Sequence, residues 1–149
     1  MRQDQLLRRR MQVATIRSVQ RAAAERATLR ADEALRGLGR RRAAGLETLE
    51  ADQDAWRTAL SGASLRLDEA RSLTMAIADH VARLHALEAE IVQATDDRLD
   101  KARAWQAAIS RADAAADLVK STARRIARLA DEAQLNETAD RQARGRAVA

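Results

Sequence analysis

The sequence predicts an all-α fold, a long antiparallel two-helix coiled-coil hairpin. Its 149 residues include no proline, phenylalanine or tyrosine, and 33% of them are charged. Alanine, leucine, arginine and glutamate, which favour helices most strongly, dominate the composition. Apolar residues also recur every three or four positions along two long segments, as in amphipathic helices. We therefore expect one domain, residues 1–149, with helix 1 at about 3–60, a turn at 61–64 and helix 2 at about 65–144.

Helix 1 is predicted from a stripe of apolar and alanine residues at 13, 16, 19, 23, 27, 31, 35, 38, 46, 49, 56 and 60. With the polar positions 42 and 53 included, the mean spacing is about 3.6 residues, the period of a nearly straight amphipathic helix. Gly37, Gly39 and Gly45 interrupt this stripe, and a turn at 37–45 is the alternative. Because the leucines on either side stay in phase, we place these glycines inside the helix, at a cost of about 1 kcal/mol each.

The turn is predicted in the segment "SGAS" at 61–64. Gly62 would end helix 1 and Ser64 would cap helix 2, while Asp68 and Glu69 would lie near the positive end of the new helix. A turn near Ser72 is the alternative. A turn at 61–64 pairs residue i with about 125 − i, and helix 2 then extends beyond helix 1 by roughly two dozen residues.

Helix 2 is predicted from a second apolar stripe, which starts with Leu73, Ile77, Val81, Leu84, Leu87 and Ile91. Further along, the intervals alternate between four and three, which is typical of a left-handed coiled coil. This second part comprises Trp105, Ile109, Ala112, Ala116, Val119, Ala123, Ile126, Ala130 and Ala133. Alanine permits close helix approach but buries little area, so we expect marginal stability.

The residues give no sign of catalysis, of a metal site or of a cofactor. The chain has no cysteine, and no apolar run approaches the roughly 20 residues that span a bilayer. His80 and His85 are five residues apart, so on a helix they do not share a face that could hold a metal. The segment "GLGRRRAAG" lacks the strand and the GxGxxG or GK[ST] pattern of a nucleotide loop. We expect a non-enzymatic protein without cofactor, metal or transmembrane segment.

Charge differs along the chain. Residues 1–30 carry a net charge of +6, residues 31–100 carry −5 and residues 101–149 carry +4. The hairpin therefore has a basic end that holds both termini and an acidic half near the turn, which suggests two different partners. The 25 arginines suggest nucleic-acid binding as an alternative, but acids are interleaved with them and few aromatic residues are present for base stacking. A basic helix lying on a membrane is a weaker alternative.

The two tryptophans have different expected roles. Trp105 falls on the apolar stripe of helix 2 and is expected in the core. Trp56 is in phase with Leu49 and Leu60, which also favours the core, but a large aromatic residue close to a turn is a common anchor for a partner. Both interpretations of Trp56 stay open at this point.

The chain resembles the YscO/FliJ family of coiled-coil stalk proteins in type III secretion and flagellar export. The segment "LLRRRMQVATIRSVQRAAAERATLRADEALR" resembles the family's opening, and "LDKARAWQAAISRADAAADLV" resembles its second helix. The segment "DQDAWRTALSG" is similar to the aromatic-acid-aromatic-R-x-x-L segment that the flagellar members have just before their turn. In this stretch Trp56, Arg57 and Leu60 match the family, whereas Asp52 replaces an aromatic residue.

The resemblance implies a non-catalytic stalk that enters and stimulates a hexameric secretion ATPase with its terminal end and contacts the cytoplasmic domain of the export gate with its hairpin part. Some family members also bind escort chaperones. The expected location is cytoplasmic, at the inner-membrane secretion apparatus. Candidate ATPase contacts are Arg8, Arg9, Arg10, Arg17, Arg124, Arg125 and Arg128. Candidate gate contacts are Leu49, Trp56, Leu60, Leu73 and Ile77.

A self-assembling coiled-coil scaffold is the main alternative function. Its contacts would come from the alanine stripes and from the apolar residues Ile126, Leu129 and Leu135 in the extending part of helix 2. A basic helical nucleic-acid-binding protein is the third, and its affinity would fall steeply with salt.

Overall fold

The computed structural model describes residues 2–61 and 66–147, which form two long helices packed against each other. Helix α1 comprises Arg2–Ser61 and helix α2 comprises Leu67–Ala147, and no strand occurs over these described ranges. The prediction of an all-α chain is thus confirmed. Of the predicted turn, Ser61 ends α1, whereas 62–64 lie outside the described residues. Over the described part of the chain, neither helix contains an apolar stretch that is long enough to cross a membrane.

The chain forms two compact units, and each helix contributes to both. Unit 1 comprises Met1–Ala24 and Ala104–Ala149, and unit 2 comprises Glu25–Arg103. The N-terminal and C-terminal segments of the chain therefore belong to the same unit. Trp56 and the residues on either side of the predicted turn belong to the other unit.

The core is thin, as the alanine content predicts. Seven apolar residues are buried in the described part of the chain: Ala31, Ala59, Ala70, Leu84, Leu87, Ala108 and Ala115. Only Leu84 and Leu87, both in unit 2, are larger than alanine. Because burial of an alanine methyl group removes little apolar area from water, these two leucines carry a large share of the packing energy.

The stripe predicted for the first turns of α1 is wrong. Val13, Ile16 and Val19 are 48%, 56% and 61% exposed. The half-buried residues of this segment instead include Leu7, Arg10, Ala14 and Arg17, at intervals that alternate between three and four. Long arginine side chains can lie along a packed face through their methylene groups, so a stripe traced through apolar residues alone misses the face that packs.

The stripe predicted for the second half of α2 is confirmed in part. Six of its nine residues are half-buried as predicted: Trp105, Ile109, Ala112, Ala116, Val119 and Ile126. The intervening buried positions are Ala108, Ala115 and Thr122, whereas the predicted Ala123 is exposed, as are Ala130 and Ala133. Runs such as "ADAAAD" place alanine on several adjacent rows of the helix, so composition does not reveal which row packs.

The pairing of α1 with α2 is offset from the predicted rule of i with 125 − i. That rule places Glu69 opposite Trp56, but the Trp56 indole donates a hydrogen bond to Thr74 at 3.0 Å. It also places Leu73 opposite Asp52, but Asp52 lies 2.7 Å from His80. The paired residues of α2 thus lie further along the chain than predicted. Beyond Ile126, every residue of 127–142 is exposed.

Helix α1 continues through the glycine-rich segment, which excludes the alternative turn at 37–45. None of the glycines that the structure describes has a positive φ. A methyl group added at Gly45 would approach Leu84 Cδ2 to 3.0 Å, whereas one added at Gly39 would meet no atom within 4 Å. Gly45 therefore permits a close approach of Leu84 to the α1 backbone, and Gly39 has no such packing role.

This difference gives a matched pair of variants. Gly39→Ala is expected to raise the free energy of unfolding by about 1 kcal/mol, because alanine favours the helix and the added methyl group is unobstructed. Gly45→Ala gains the same helix propensity but must displace Leu84, so its gain should be smaller or reversed. Urea unfolding followed by circular dichroism measures both values. Equal gains for the two variants would show that Gly45 has no packing role.

Candidate partner-binding surfaces

The seven arginines proposed from the resemblance as ATPase contacts all belong to unit 1. Two of them are half-buried and have partners inside the unit. Arg10 donates to the Thr122 hydroxyl and, at 3.3 Å, to the Leu118 carbonyl oxygen. Arg17 donates to Gln20 Oε1 at 2.9 Å. These two side chains are therefore engaged within the protein.

The other five arginines of this set are exposed: Arg8, Arg9, Arg124, Arg125 and Arg128. None of them has a carboxylate within 4.0 Å among the described residues. Unit 1 contains 14 lysines and arginines against 7 acidic residues, a net charge of +7, whereas unit 2 contains 13 against 15, a net charge of −2. An acidic partner would therefore be attracted to unit 1 rather than to unit 2.

The two "RRR" segments differ in their surroundings. In unit 2, all three arginines of the second segment lie near carboxylates: Arg40 near Glu33 at 3.4 Å, Arg41 near Glu90 at 3.6 Å and Arg42 near Glu88 at 3.3 Å. In the first segment, Arg8 and Arg9 have no such neighbour in the described part of the chain. The first segment thus presents uncompensated positive charge and the second does not, although both have the sequence Arg-Arg-Arg.

The five candidate gate contacts all belong to unit 2. Leu49, Leu73 and Ile77 are half-buried, whereas Trp56 and Leu60 are 37% and 38% exposed. Trp56 and Ile77 line one shallow groove together with Gln53, Arg57 and Thr74. The interpretation of Trp56 as a core residue is wrong, because more than a third of its surface is accessible.

The Trp56 ring is held in place by a polar contact. Its Nε1 donates to Thr74 Oγ1 at 3.0 Å, and the Thr74 hydroxyl donates in turn to the Ala70 carbonyl oxygen at 2.8 Å. An exposed indole that is fixed in this way loses little conformational freedom when a partner covers it. Large aromatic side chains that are exposed and held in this way are frequent among the residues that anchor protein partners.

Asp52 and His80 form a polar pair that sequence reasoning missed. His80 Nδ1 lies 2.7 Å from Asp52 Oδ2, and the two side chains are only 23% and 24% exposed. Both atoms are buried and have no other hydrogen-bond partner among the described residues. The side chain of Asp52 is thus directed toward α2. His85, the other histidine, is exposed.

Trp105 lies on the packed face of α2 and is half-buried. Its Nε1 is buried, with no hydrogen-bond partner among the described residues. Over the same part of the chain, no group of three or more His, Cys, Asp and Glu side chains could hold a metal ion.

No family model, curated protein or solved structure matches this chain.

Proposed function

We propose that this chain is a non-catalytic central-stalk component of a bacterial type III secretion system, which links and stimulates the hexameric export ATPase and contacts the export gate. The observation that carries the proposal is the division of the candidate residues between the units. All seven candidate ATPase contacts belong to the basic unit 1, and all five candidate gate contacts belong to unit 2. The names of the two partners come from the YscO/FliJ resemblance.

The proposal includes the finer form of the fold, an antiparallel coiled-coil hairpin. Its support is the pattern of contacts inside each unit. In unit 2, Asp32 pairs with Arg98, Arg42 with Glu88 and Trp56 with Thr74, so that residue numbers rise along α1 as they fall along α2. In unit 1, Arg10 and Arg21 pair with Thr122 and Asp113 in the same order. The alternation of three- and four-residue intervals on the packed faces is the spacing of a left-handed coiled coil.

In this proposal, unit 1 meets the ATPase through its exposed arginines. Guanidinium groups form bidentate hydrogen bonds with carboxylates, so a ring lined with acidic residues would orient the unit and raise its association rate. Unit 2 meets the cytoplasmic domain of the gate through Trp56 and Leu60, which are already partly exposed. An escort chaperone is a further proposed partner, and the proposed location is the cytoplasmic side of the inner-membrane secretion apparatus.

The ATPase rate tests this role. Purified chain added to the cognate hexameric ATPase should raise the rate and saturate near one chain per hexamer. The triple variant Arg8→Gln, Arg9→Gln, Arg125→Gln should weaken the stimulation by about tenfold or more, because three uncompensated charges are lost. The matched control replaces Arg40, Arg41 and Arg42 with glutamine, and its stimulation should stay within about twofold of the wild type because those charges are already compensated.

The stalk proposal would be contradicted if the chain neither stimulated the ATPase at any concentration nor co-eluted with it. Equal losses in the two triple variants would show that overall charge acts rather than the surface of unit 1. Helicity measured by circular dichroism should be unchanged in both variants, because all the replaced side chains are exposed.

A self-assembling scaffold remains the second candidate, and one observation favours it. Apolar side chains of unit 1 are exposed, among them Ile16 at 56% and Leu135 at 68%. Sedimentation equilibrium separates the two proposals, because a stalk should be monomeric at micromolar concentration and a scaffold should form larger species. Nucleic-acid binding is the third candidate, and a steep loss of affinity with salt would identify it.

A further inference from the structure

Two pockets lie between α1 and α2 in unit 1, and we call the two together the lateral groove. One layer is lined by Val13 and Leu118, with Ala115 at its floor. The next layer is lined by Leu6 and Ile126, with Thr122 at its floor. Leu6 and Val13 are seven residues apart on α1, as are Ala115 and Thr122 on α2, so the two layers follow each other along the same side of the unit.

The walls of this lateral groove are apolar and accessible. Leu6 is 45% exposed, Val13 is 48% exposed and Leu118 is 52% exposed, whereas the floor residues Ala115 and Thr122 are buried. Apolar walls above a closed floor, spaced by seven residues on α1 (Leu6, Val13) and by eight on α2 (Leu118, Ile126), offer the holes into which side chains of a third helix can insert. The two layers are about 10 Å apart, so a helix of two turns or more is needed to fill both.

The groove is also positively charged. Arg9 and Arg10 line the first layer and Arg125 lines the second, and among the described residues no acidic side chain lines either layer. Arg10 is engaged with Thr122, but Arg9 and Arg125 have no carboxylate partner among the described residues. A ligand with apolar groups at its centre and carboxylates at its edges would therefore contact the apolar walls and pair with the arginines beside them.

We propose that the lateral groove of unit 1 binds an acidic amphipathic helix of a partner protein. The inference goes beyond the stalk role and does not depend on the identity of the ATPase. A second copy of this chain is disfavoured, because its unit 1 also carries a net charge of +7. A flat anionic bilayer would not reach the closed floor, and nucleic-acid phosphates would leave the apolar walls without contacts.

The test uses the full chain and a fluorescently labelled synthetic peptide of about three heptads, with leucine at the a and d positions and glutamate at the e and g positions. The glutamates keep the peptide from pairing with itself. Fluorescence anisotropy measures its affinity. The double variant Val13→Gln, Leu118→Gln should bind the peptide about tenfold or more weakly, because the groove walls become polar. The matched control Ile16→Gln, Val19→Gln changes equally exposed apolar residues outside the groove and should alter affinity less than about twofold.

The charge of the groove is tested separately. Arg9→Gln combined with Arg125→Gln should lower the affinity by about tenfold and make the binding less dependent on salt. A second peptide with lysine in place of glutamate should bind at least about tenfold more weakly than the first. Circular dichroism should show unchanged helicity in every variant, since all replaced side chains are exposed.

Four outcomes would overturn the inference. The first is an equal loss of affinity in the groove and control double variants, and the second is equal binding of the lysine and glutamate peptides. The third is displacement of the labelled peptide by vesicles that contain phosphatidylserine as effectively as by unlabelled peptide. The fourth is self-association of the chain that the Val13→Gln, Leu118→Gln variant abolishes.

Discussion

Replacement of Leu84 by alanine is expected to lower the free energy of unfolding by about 3 kcal/mol, within the range of buried leucine truncations. Leu84 is 9% exposed and, with Leu87, is one of two buried apolar side chains larger than alanine in the described part of the chain. It also lies against the backbone of Gly45, where a methyl group would come within 3.0 Å. Because Ala44 and Gly45, which line the same pocket from α1, are small, they cannot fill the resulting cavity.

Urea unfolding followed by circular dichroism measures this loss. Leu29→Ala is the matched control, because Leu29 lies in unit 2 and is 57% exposed. It should change the free energy of unfolding by less than about 0.5 kcal/mol. Similar losses for the two leucines would mean that burial in unit 2 does not determine stability, and the packed face would then have to be reassigned.

Under the stalk proposal, replacement of Trp56 by alanine is expected to weaken binding of the export-gate cytoplasmic domain by about thirtyfold, the effect of losing an aromatic anchor. Trp56 is 37% exposed and is fixed by the hydrogen bond to Thr74. Truncation removes both the contact area and the preorganised ring. Isothermal titration calorimetry of the purified chain with the gate domain measures the effect.

The control for this prediction separates anchoring from folding. Trp56→Phe keeps an aromatic ring but loses the donor to Thr74, so its binding should fall by only a fewfold, about 1 kcal/mol or less. The helicity of Trp56→Ala should stay close to that of the wild type. A large loss of helicity in Trp56→Ala would instead show that the ring is needed for the packing of α1 against α2.

The existence of two long helices could be predicted from the sequence because helix propensity acts residue by residue. The same holds for the continuity of α1 through Gly37, Gly39 and Gly45, since the three glycine penalties are small beside the effect of the in-phase leucines around them. Local composition was sufficient for these features. Packing was not needed to decide them.

The register could not be predicted, and the reason lies in the alanines and arginines. Ala115 packs and Ala123 does not, although nothing local distinguishes the two residues. In α1, Arg10 and Arg17 occupy the packed side while Ile16 and Val19 are exposed. Only the position of the opposite helix decides between such rows, and that position depends on contacts far apart in sequence.

The candidate surfaces, like the fold, could be predicted only in part. The sequence indicated the basic terminal segments and the aromatic residue near the turn, because charge and residue type are local properties. It did not distinguish the exposed Arg9 from the engaged Arg10, and it missed the pair of Asp52 with His80. Each of these features depends on which residue of α2 lies opposite, and the predicted pairing was offset by several residues.

In the stalk proposal, one chain joins two partners through two different units. Size-exclusion chromatography of the secretion ATPase and the gate cytoplasmic domain, with and without this chain, is the decisive experiment. We expect the two partners to co-elute only when the chain is present, Trp56→Ala to release the gate domain alone, and the Arg8, Arg9, Arg125 triple variant to release the ATPase alone. The stalk proposal would be wrong if the chain did not bring the two partners into one peak.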